Sequence, residues 1–158
     1  MFGALAPVGD AAAAAVAARA FFRDYDSGDW LLKAGDRAEY CFLIIKGLVR
    51  ELYIRDDGEE HTRSFIPENQ VTGSLLDLMS NEPAVTWIQA LEPTETLAWR
   101  YSDFDAATAR FPELQAVARR HAEALYVKKT LREHEMLASA RTSDTRGGWK
   151  KTARSTGA

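Results

Sequence analysis

The stretch that decides the fold is Tyr40–Glu60, YCFLIIKGLVRELYIRDDGEE. Apolar residues fill it at 42–45 and alternate in part with polar ones at 48–54, as in strands that bury one face. Gly47 separates the two runs, and Asp57-Gly58 follows the second run as a strong short-range hairpin signal. The stretch therefore predicts short antiparallel strands joined by tight turns.

The same pattern extends outward over residues 25–104. Further strand-like runs at 30–32, 61–66, 85–91 and 95–101 are rich in apolar, β-branched and aromatic residues. Turn signals recur about every eight to twelve residues, which is typical of an all-β sandwich or barrel. We therefore predict a single β unit over residues 25–104.

A helical segment precedes this β region. In residues 1–24, Asp10 comes directly before an alanine-rich run and predicts a capped helix over residues 10–22. No basic residue precedes that run, which argues against a secretory signal. No run reaches the roughly 20 apolar residues of a transmembrane helix. We therefore expect a cytoplasmic protein that does not bind a membrane.

A second helical region is predicted over residues 105–137. Neither glycine nor proline interrupts residues 113–137, which indicates one helix about 37 Å long. His121 and Lys128 interrupt the 3-4 spacing of its apolar positions, so two alternatives stay open: a parallel coiled-coil dimer, or a helix packed on its own barrel. Residues 138–158 lack apolar periodicity and are rich in Gly, Ser, Thr and basic residues, and we predict a disordered basic tail.

Composition excludes several classes of function. The net charge of −3 gives no global reason to expect nucleic acid as a partner. Cys41, the only cysteine, lies in an apolar run and predicts a buried inert thiol. The three histidines are scattered, and there is no Gly-x-Ser-x-Gly elbow. We therefore expect no metal, no cofactor, no catalytic residue and no enzymatic activity.

An ordered series of segments carries a resemblance to a known family. The segments are AGDxAxYCFLIIKGLVRxLYxRDDGxE at 34–60, FIPEN at 65–69, a glycine loop, and IQALEPTE at 88–95. Over about residues 25–137 they resemble the cyclic-nucleotide-binding domain of CRP/FNR-type bacterial transcription regulators. The resemblance implies a double-stranded β-helix (jelly-roll) barrel, mainly β with flanking helices, followed by a long C-terminal dimerisation helix. The glycines that match the family's turns are Gly28, Gly35, Gly47, Gly58 and Gly73.

The resemblance also implies where a ligand would bind. In nucleotide-binding members a glutamate after the loop glycine holds the ribose hydroxyl, and an arginine about ten residues later meets the phosphate; here these positions are Ser74 and Ala84. No Arg or Lys occurs from residue 64 to residue 99. A buried phosphate without a cation loses charge-assisted bonds worth about 1.5–3 kcal/mol each, so cyclic AMP is disfavoured. The candidate ligand-binding residues are Gly73, Ser74, Leu75, Ala84, Val85, Thr86 and Thr130.

Several functional hypotheses remain. The favoured one is a sensor and dimerisation domain of a CRP/FNR-like regulator, homodimeric through residues 113–137, with a degenerate pocket whose small-molecule effector is unknown or absent. The first alternative is a ligand-independent protein-interaction module that acts through the long helix. The second is a cupin-type small-molecule-binding protein, although only His61 lies in a strand region. Because residues 138–158 are too few for a winged helix-turn-helix, we expect no specific DNA binding by this chain alone.

Overall fold

Two four-stranded antiparallel sheets form the centre of the computed structural model, which describes residues 7–145. The elements in chain order are α1 (Asp10–Ala17), β1 (Phe21–Tyr25), β2 (Trp30–Leu32), β3 (Tyr40–Lys46), β4 (Val49–Ile54), β5 (Glu60–Ile66), β6 (Val71–Thr72), α2 (Leu75–Ser80), β7 (Trp87–Ala90), β8 (Thr94–Arg100), α3 (Tyr101–Thr108) and α4 (Pro112–Thr145).

The strand order shows a sandwich built by crossing between sheets. One sheet has the order β1-β8-β3-β6 and the other the order β2-β7-β4-β5, and neighbours are antiparallel throughout. Consecutive strands therefore alternate between the sheets at several points, as they do in jelly rolls. The predicted fold, mainly β with flanking helices and a long C-terminal helix, is confirmed.

The β4–β5 hairpin lies where the Asp57-Gly58 signal predicts it. The strands pair from Val49 opposite Ile66 to Ile54 opposite Glu60. The turn is closed by backbone bonds, from the Gly58 N–H to the Arg55 carbonyl at 2.8 Å and from the Arg55 N–H to the Glu59 carbonyl at 2.9 Å. Local sequence alone thus specifies this connection.

The interior of the sandwich is apolar. One group of buried residues comprises Ile44, Val49, Ile66 and Ile88, and a second comprises Tyr25, Phe42, Ala90 and Ala98. Successive side chains of β3 point to opposite faces of the sheet. Ile44 therefore lies fully buried in the core, whereas the next residue, Ile45, is 40% exposed.

Cys41, on β3, is a protonated thiol. Burial raises the pKa of Cys41 to about 12, because a thiolate would have to give up its hydration. The thiol is therefore uncharged at neutral pH, which agrees with the predicted inert cysteine.

The N-terminal helix is shorter than predicted. It ends at Ala17 and not at residue 22, and its N-cap is Gly9, so Asp10 is the first helical residue. Phe21 and the four residues after it belong to β1, which pairs with β8 over its whole length. The helix does not continue to residue 22 because residues 21–25 form their backbone hydrogen bonds with β8 as a strand.

A small cluster joins α1 to the helices that follow the sheet. Leu114, fully buried, packs with Ala12 and Val16, and partly buried residues surround them: Val8, Phe104, Ala107 and Phe111. Leu114 lies in the first turn of α4. The Leu114 side chain is therefore buried in the core of this chain.

The C-terminal helical region is also bounded differently from the prediction. The region starts at Tyr101 with α3, before residue 105, and α4 runs from Pro112 to Thr145. The tail predicted from residue 138 is therefore wrong for residues 138–145, where neither glycine nor proline ends the helix. The rest of the predicted tail, residues 146–158, lies outside the described residues.

The chain divides into two compact units, one ending at Ala116 and the other beginning at Val117. The second unit contains the remainder of α4. Within it, i,i+4 ion pairs join Arg119 to Glu123 at 3.8 Å and Lys129 to Glu133 at 3.9 Å. Over residues 7–145, no helix combines the length and apolar character that a membrane span requires.

Glycine is required at the β3–β4 turn for two separate reasons. Gly47 has φ +101°, and a Cβ there would lie 2.5 Å from the Thr94 Oγ1 and 2.8 Å from the Pro93 carbonyl oxygen. Gly58 has φ +84° but no atom within 4 Å of a Cβ. All five glycines that match the family's turns have a positive φ: Gly28, Gly35, Gly47, Gly58 and Gly73.

Because a Cβ has space at Gly58 but not at Gly47, the same substitution should cost different amounts of stability at the two positions. We expect Gly58→Ala to cost about 1–2 kcal/mol of stability, the penalty for a left-handed alanine. We expect Gly47→Ala to cost a further 1–3 kcal/mol or so, because the Cβ also overlaps a neighbouring strand. Urea unfolding of both variants measures the difference, and equal losses would show that the close approach to β8 is unimportant.

Candidate functional site

The segment from Gly73 to Thr86 begins with a close approach to β3. Gly73 follows β6 directly, with φ +152°, and a Cβ on it would lie 2.9 Å from the Tyr40 carbonyl oxygen and 3.1 Å from the Cys41 Cα. Only glycine fits this position without movement of the β3 backbone. The start of the segment is therefore held against the sheet.

A short helix, α2, lies within this segment. It is preceded by Ser74 and followed by Asn81, both in the left-handed region with φ values of 45° and 57°. A left-handed non-glycine residue costs of order 1 kcal/mol or more, so its surroundings must hold it in place. The Ser74 hydroxyl supplies that restraint: it donates to the Asp77 Oδ2 at 2.8 Å, and a second hydrogen bond of 2.9 Å joins its oxygen to the Thr86 hydroxyl.

Asp77 is the centre of the hydrogen bonds in this segment. Its side chain is buried, with 4% of the residue exposed. The Oδ2 atom accepts from the Ser74 Oγ and from the Thr86 N–H at 3.2 Å, and the Oδ1 atom accepts from the Val85 N–H at 3.2 Å. One carboxylate thus joins the beginning of the segment to its end.

These bonds keep the Asp77 carboxylate charged. Burial alone raises the pKa of Asp77, but the hydrogen bonds from Ser74, Val85 and Thr86 outweigh burial and bring the pKa below its ordinary value. Hydrogen bonds to a charged acceptor are shorter and stronger than neutral ones. The carboxylate is therefore an anion held by neutral donors.

The lowered pKa predicts a pH dependence of stability with a definite sign. Because the pKa of Asp77 is lower in the folded than in the unfolded chain, its contribution is complete above the unfolded value of about 4. It is lost as the pH falls through the folded-state pKa. We expect the stability difference between wild type and Asp77→Asn to shrink with decreasing pH. Urea unfolding across a pH series measures it, and a difference that grows towards acid would contradict the assignment.

A second buried carboxylate lies next to this network. Glu51, on β4, is 9% exposed and accepts a hydrogen bond of 2.5 Å from the Thr72 hydroxyl on β6. Thr72 directly precedes Gly73 in the chain. Where burial is described, over residues 7–140, the buried polar and charged residues thus include two acids and no base: Glu51, Thr72, Ser74, Asp77, Thr86, Thr94 and Thr96.

The arginines of the neighbouring strands are engaged elsewhere. Arg50 donates to Gln89 at 2.7 Å and pairs with Glu60 at 2.7 Å. Arg63 stacks on the ring of Tyr53 at 6.0 Å and donates to its hydroxyl at 3.3 Å. These contacts of Arg50 and Arg63 lie outside the Gly73–Thr86 segment. Arg37, from the β2–β3 connection, does reach the segment, where it donates to the Asn81 side chain and forms a β-bridge with Pro83.

The structure brings together only some of the predicted ligand-binding residues. Ser74, Val85 and Thr86 meet at the Asp77 carboxylate, and Gly73 opens the segment. Ala84 is buried, and its backbone bonds to the β2–β3 connection, donating to the Asp36 carbonyl and accepting from the Gly35 N–H, both at 2.8 Å.

The other two predicted residues are not part of that cluster. Leu75 is the half-buried first residue of α2. Thr130 belongs to the second unit, where its hydroxyl donates to the Tyr126 carbonyl of its own helix at 3.0 Å, the common local bond of a helical threonine. Nothing in these contacts assigns Thr130 to a ligand site.

Asp77, at the centre of this cluster, is not among the ligand-binding residues that the sequence predicted. A signal for it exists, because Ser74-x-x-Asp77 before a short helix has the spacing of a capping box. That spacing predicts bonds from the two side chains to backbone N–H groups of the first turn, and the Ser74 side chain makes no such bond. The Ser74 hydroxyl donates to the Asp77 carboxylate instead. The spacing also carries no information on Val85 and Thr86, which reach the same carboxylate only through the folded loop.

The chain matches the model of one protein family. Residues 22–111 match the cyclic nucleotide-binding domain. No curated protein matches the chain at a significant level.

Solved structures share the fold at low sequence identity. The Thermus thermophilus catabolite activator protein is 22% identical with a TM-score of 0.67, over 87% of this chain and 62% of that protein. The N-terminal domain of a Streptomyces coelicolor transcriptional regulator is 23% identical with a TM-score of 0.63, over 80% of this chain and 88% of that domain. This chain therefore spans less than two thirds of the length of the Thermus protein.

A third similar structure comes from a kinase regulator. The regulatory subunit of a cAMP-independent protein kinase A from Trypanosoma brucei is 18% identical with a TM-score of 0.65, over 82% of this chain and 47% of that subunit. A mutant of the same subunit with three substitutions, one of which introduces an arginine, is bound to cAMP in its A site. At such identities the likeness demonstrates a shared fold.

Proposed function

The chain belongs to the cyclic nucleotide-binding domain family, and from this membership we propose that it is the sensor and dimerisation domain of a CRP/FNR-like transcription regulator with a degenerate nucleotide pocket. The Streptomyces protein is a transcriptional regulator by name and the Thermus protein a catabolite activator by name, which supports the regulator class. These names also support our proposal that the domain has no enzymatic activity.

One observation supports the proposal that the nucleotide pocket is degenerate. The donors of the Gly73–Thr86 segment already bind the carboxylate of Asp77, and no lysine or arginine occurs between residues 64 and 99. A phosphate would meet a buried anion where it needs a cation. The cAMP-independent trypanosome subunit, which has the same fold, supports the idea that this architecture persists without cyclic AMP control.

Two forms of this proposal differ in the effector. In one, a less charged small molecule binds at Ser74 and Thr86. In the other, the domain is a ligand-independent scaffold, and the hydrogen bonds already formed by the Ser74 and Thr86 side chains favour this form. Thermal-shift screening with cyclic nucleotides and neutral metabolites separates them, since a ligand at a hundred times its Kd adds about 2.7 kcal/mol of stability.

Isothermal titration of the full chain with cyclic AMP tests the pocket. We expect no detectable heat of binding at micromolar protein concentration. Binding with a micromolar or lower Kd would overturn the proposal that the pocket is degenerate.

Dimerisation is proposed through α4 in the second unit. Apolar residues recur there every seven positions on one exposed helix face: Ala124, Leu131 and Ala138. Val117, seven residues before Ala124, is already buried within this chain. Leu131 is 59% exposed within this chain. A second copy would remove that apolar surface from water, which stabilises a parallel pair.

Light scattering tests this part of the proposal. We expect the wild-type chain to be a dimer. Leu131→Asp should raise the dissociation constant of that dimer at least about tenfold, because the aspartate would be buried between the two helices. Met136, 65% exposed, lies five residues on and therefore near the opposite helix face. Met136→Asp is the matched control and should leave the dimer intact. A monomeric wild type, or equal effects of both variants, would contradict dimerisation through this face.

A further inference from the structure

We propose that Asp77 is a built-in substitute for a bound anion, so that the Gly73–Thr86 segment contains a latent oxyanion site that the chain itself fills. The inference deepens the proposed function and rests on it, because it assigns the closure of the degenerate pocket to one residue. Removing the Asp77 carboxylate should open the site to a small oxyanion such as inorganic phosphate.

The donors around Asp77 have the arrangement of an anion receptor. The N–H groups of the consecutive residues Val85 and Thr86 both point at the same carboxylate, each at 3.2 Å. The Ser74 hydroxyl adds a third donor at 2.8 Å, and the Thr86 hydroxyl lies 2.9 Å from that of Ser74. Successive backbone N–H groups that converge on one point form a concavity that binds anions.

Asp77 has several advantages over an anion from solution. The residue is 96% buried and is joined to the donors by a loop of eight or nine residues, so its effective concentration is high. Its pKa is held below the ordinary value, so it is charged at neutral pH. An incoming phosphate would have to displace this charge or lie beside it, and like charges repel strongly in a buried site.

The surroundings add to the discrimination against anions. Glu51 is a second buried acid, bonded to Thr72, the residue before Gly73. The buried polar and charged residues over 7–140 include no lysine or arginine that could balance either carboxylate. The site therefore takes an anion from its own chain and rejects one from solution.

Nuclear magnetic resonance of the full chain tests the inference directly. The probe is inorganic phosphate, titrated into 15N-labelled wild type, Asp77→Ala and Asp77→Asn, while the backbone amide signals of Val85 and Thr86 are followed. We expect these signals to move saturably in Asp77→Ala, with an apparent affinity at least about tenfold higher than in wild type, from the gain of at least one charge-assisted bond.

Controls distinguish a vacated receptor from a general change of charge. Glu51→Gln also removes one buried negative charge but leaves the donors bound to Asp77, so it should bind phosphate no better than wild type. Asp77→Asn keeps the side-chain shape and tests the idea if Asp77→Ala fails to fold. In the folded variant of the two, unmoved Val85 and Thr86 signals at saturating phosphate would overturn the inference, as would an equal gain in Glu51→Gln.

The outcome is separable from that of the proposed function. Tight cyclic AMP binding by wild type would refute the degenerate pocket and, with it, the need for an internal anion. Absence of cyclic AMP binding by wild type together with no gain of phosphate by a folded Asp77 variant would refute only the role of Asp77. A gain of phosphate confined to the Asp77 variants supports both.

Discussion

A variant carrying Ser74→Glu, Asp77→Asn and Ala84→Arg is expected to bind cyclic AMP at least about a hundredfold more tightly than the wild-type chain. Arginine at position 84 supplies the planar cation that the segment lacks, and position 84 is only 3% exposed, so its guanidinium would be poorly hydrated. Charge-assisted bonds contribute about 1.5–3 kcal/mol each, or roughly one to two decades of affinity.

Each substitution in this variant has its own reason. The glutamate at position 74 restores the acceptor that the family resemblance implies for the ribose hydroxyl. The change at Asp77 is needed because the carboxylate would otherwise pair with the new arginine and remain in the receptor. Since the effects act on neighbouring groups, we expect the triple variant to exceed the sum of its single changes.

Isothermal titration with cyclic AMP measures the gain. The matched control replaces Ala84→Arg by Ala84→Gln, which has a comparable polar length and no charge. Thermal unfolding monitors whether the barrel tolerates the larger side chain at this buried position. A folded triple variant that gains nothing, or a glutamine control that gains as much, would show that the missing cation is not what closes the pocket.

The second large effect concerns the core that holds the segment in place. We expect Ile44→Ala to destabilise the chain by about 2–5 kcal/mol, because Ile44 is fully buried between the two sheets and its truncation leaves a cavity. Ile45→Ala, one residue on, should cost less than about 1 kcal/mol, since that side chain is 40% exposed on the other face of β3.

Urea unfolding of Ile44→Ala and Ile45→Ala measures the two losses of unfolding free energy. The two changes delete the same atoms from the same strand, so strand propensity and the unfolded state are matched. β3 also contacts Gly73 through its Tyr40 carbonyl, and loss of Ile44 should therefore loosen the start of the segment. Equal losses of stability would mean that the face of β3 assigned to the core is wrong.

Much of the fold follows from local patterns. The alternation in Tyr40–Glu60 and the Asp57-Gly58 turn predict the β3–β4–β5 arrangement that is observed. The boundaries were less predictable, because they depend on partners far away in the chain. Residues 21 and 22 are strand since β8 pairs with them, and α4 continues to Thr145 because nothing in residues 138–145 stops it.

Residue types and their spacing predict short antiparallel strands with glycine turns, and they show that no lysine or arginine lies between residues 64 and 99. Which group the donors of the Gly73–Thr86 segment bind depends on the folded backbone. Asp77 lies eight and nine residues from Val85 and Thr86, and its carboxylate reaches their N–H groups because the loop closes against β3 at Gly73. Such a contact depends on the path of the folded backbone, which no local pattern contains.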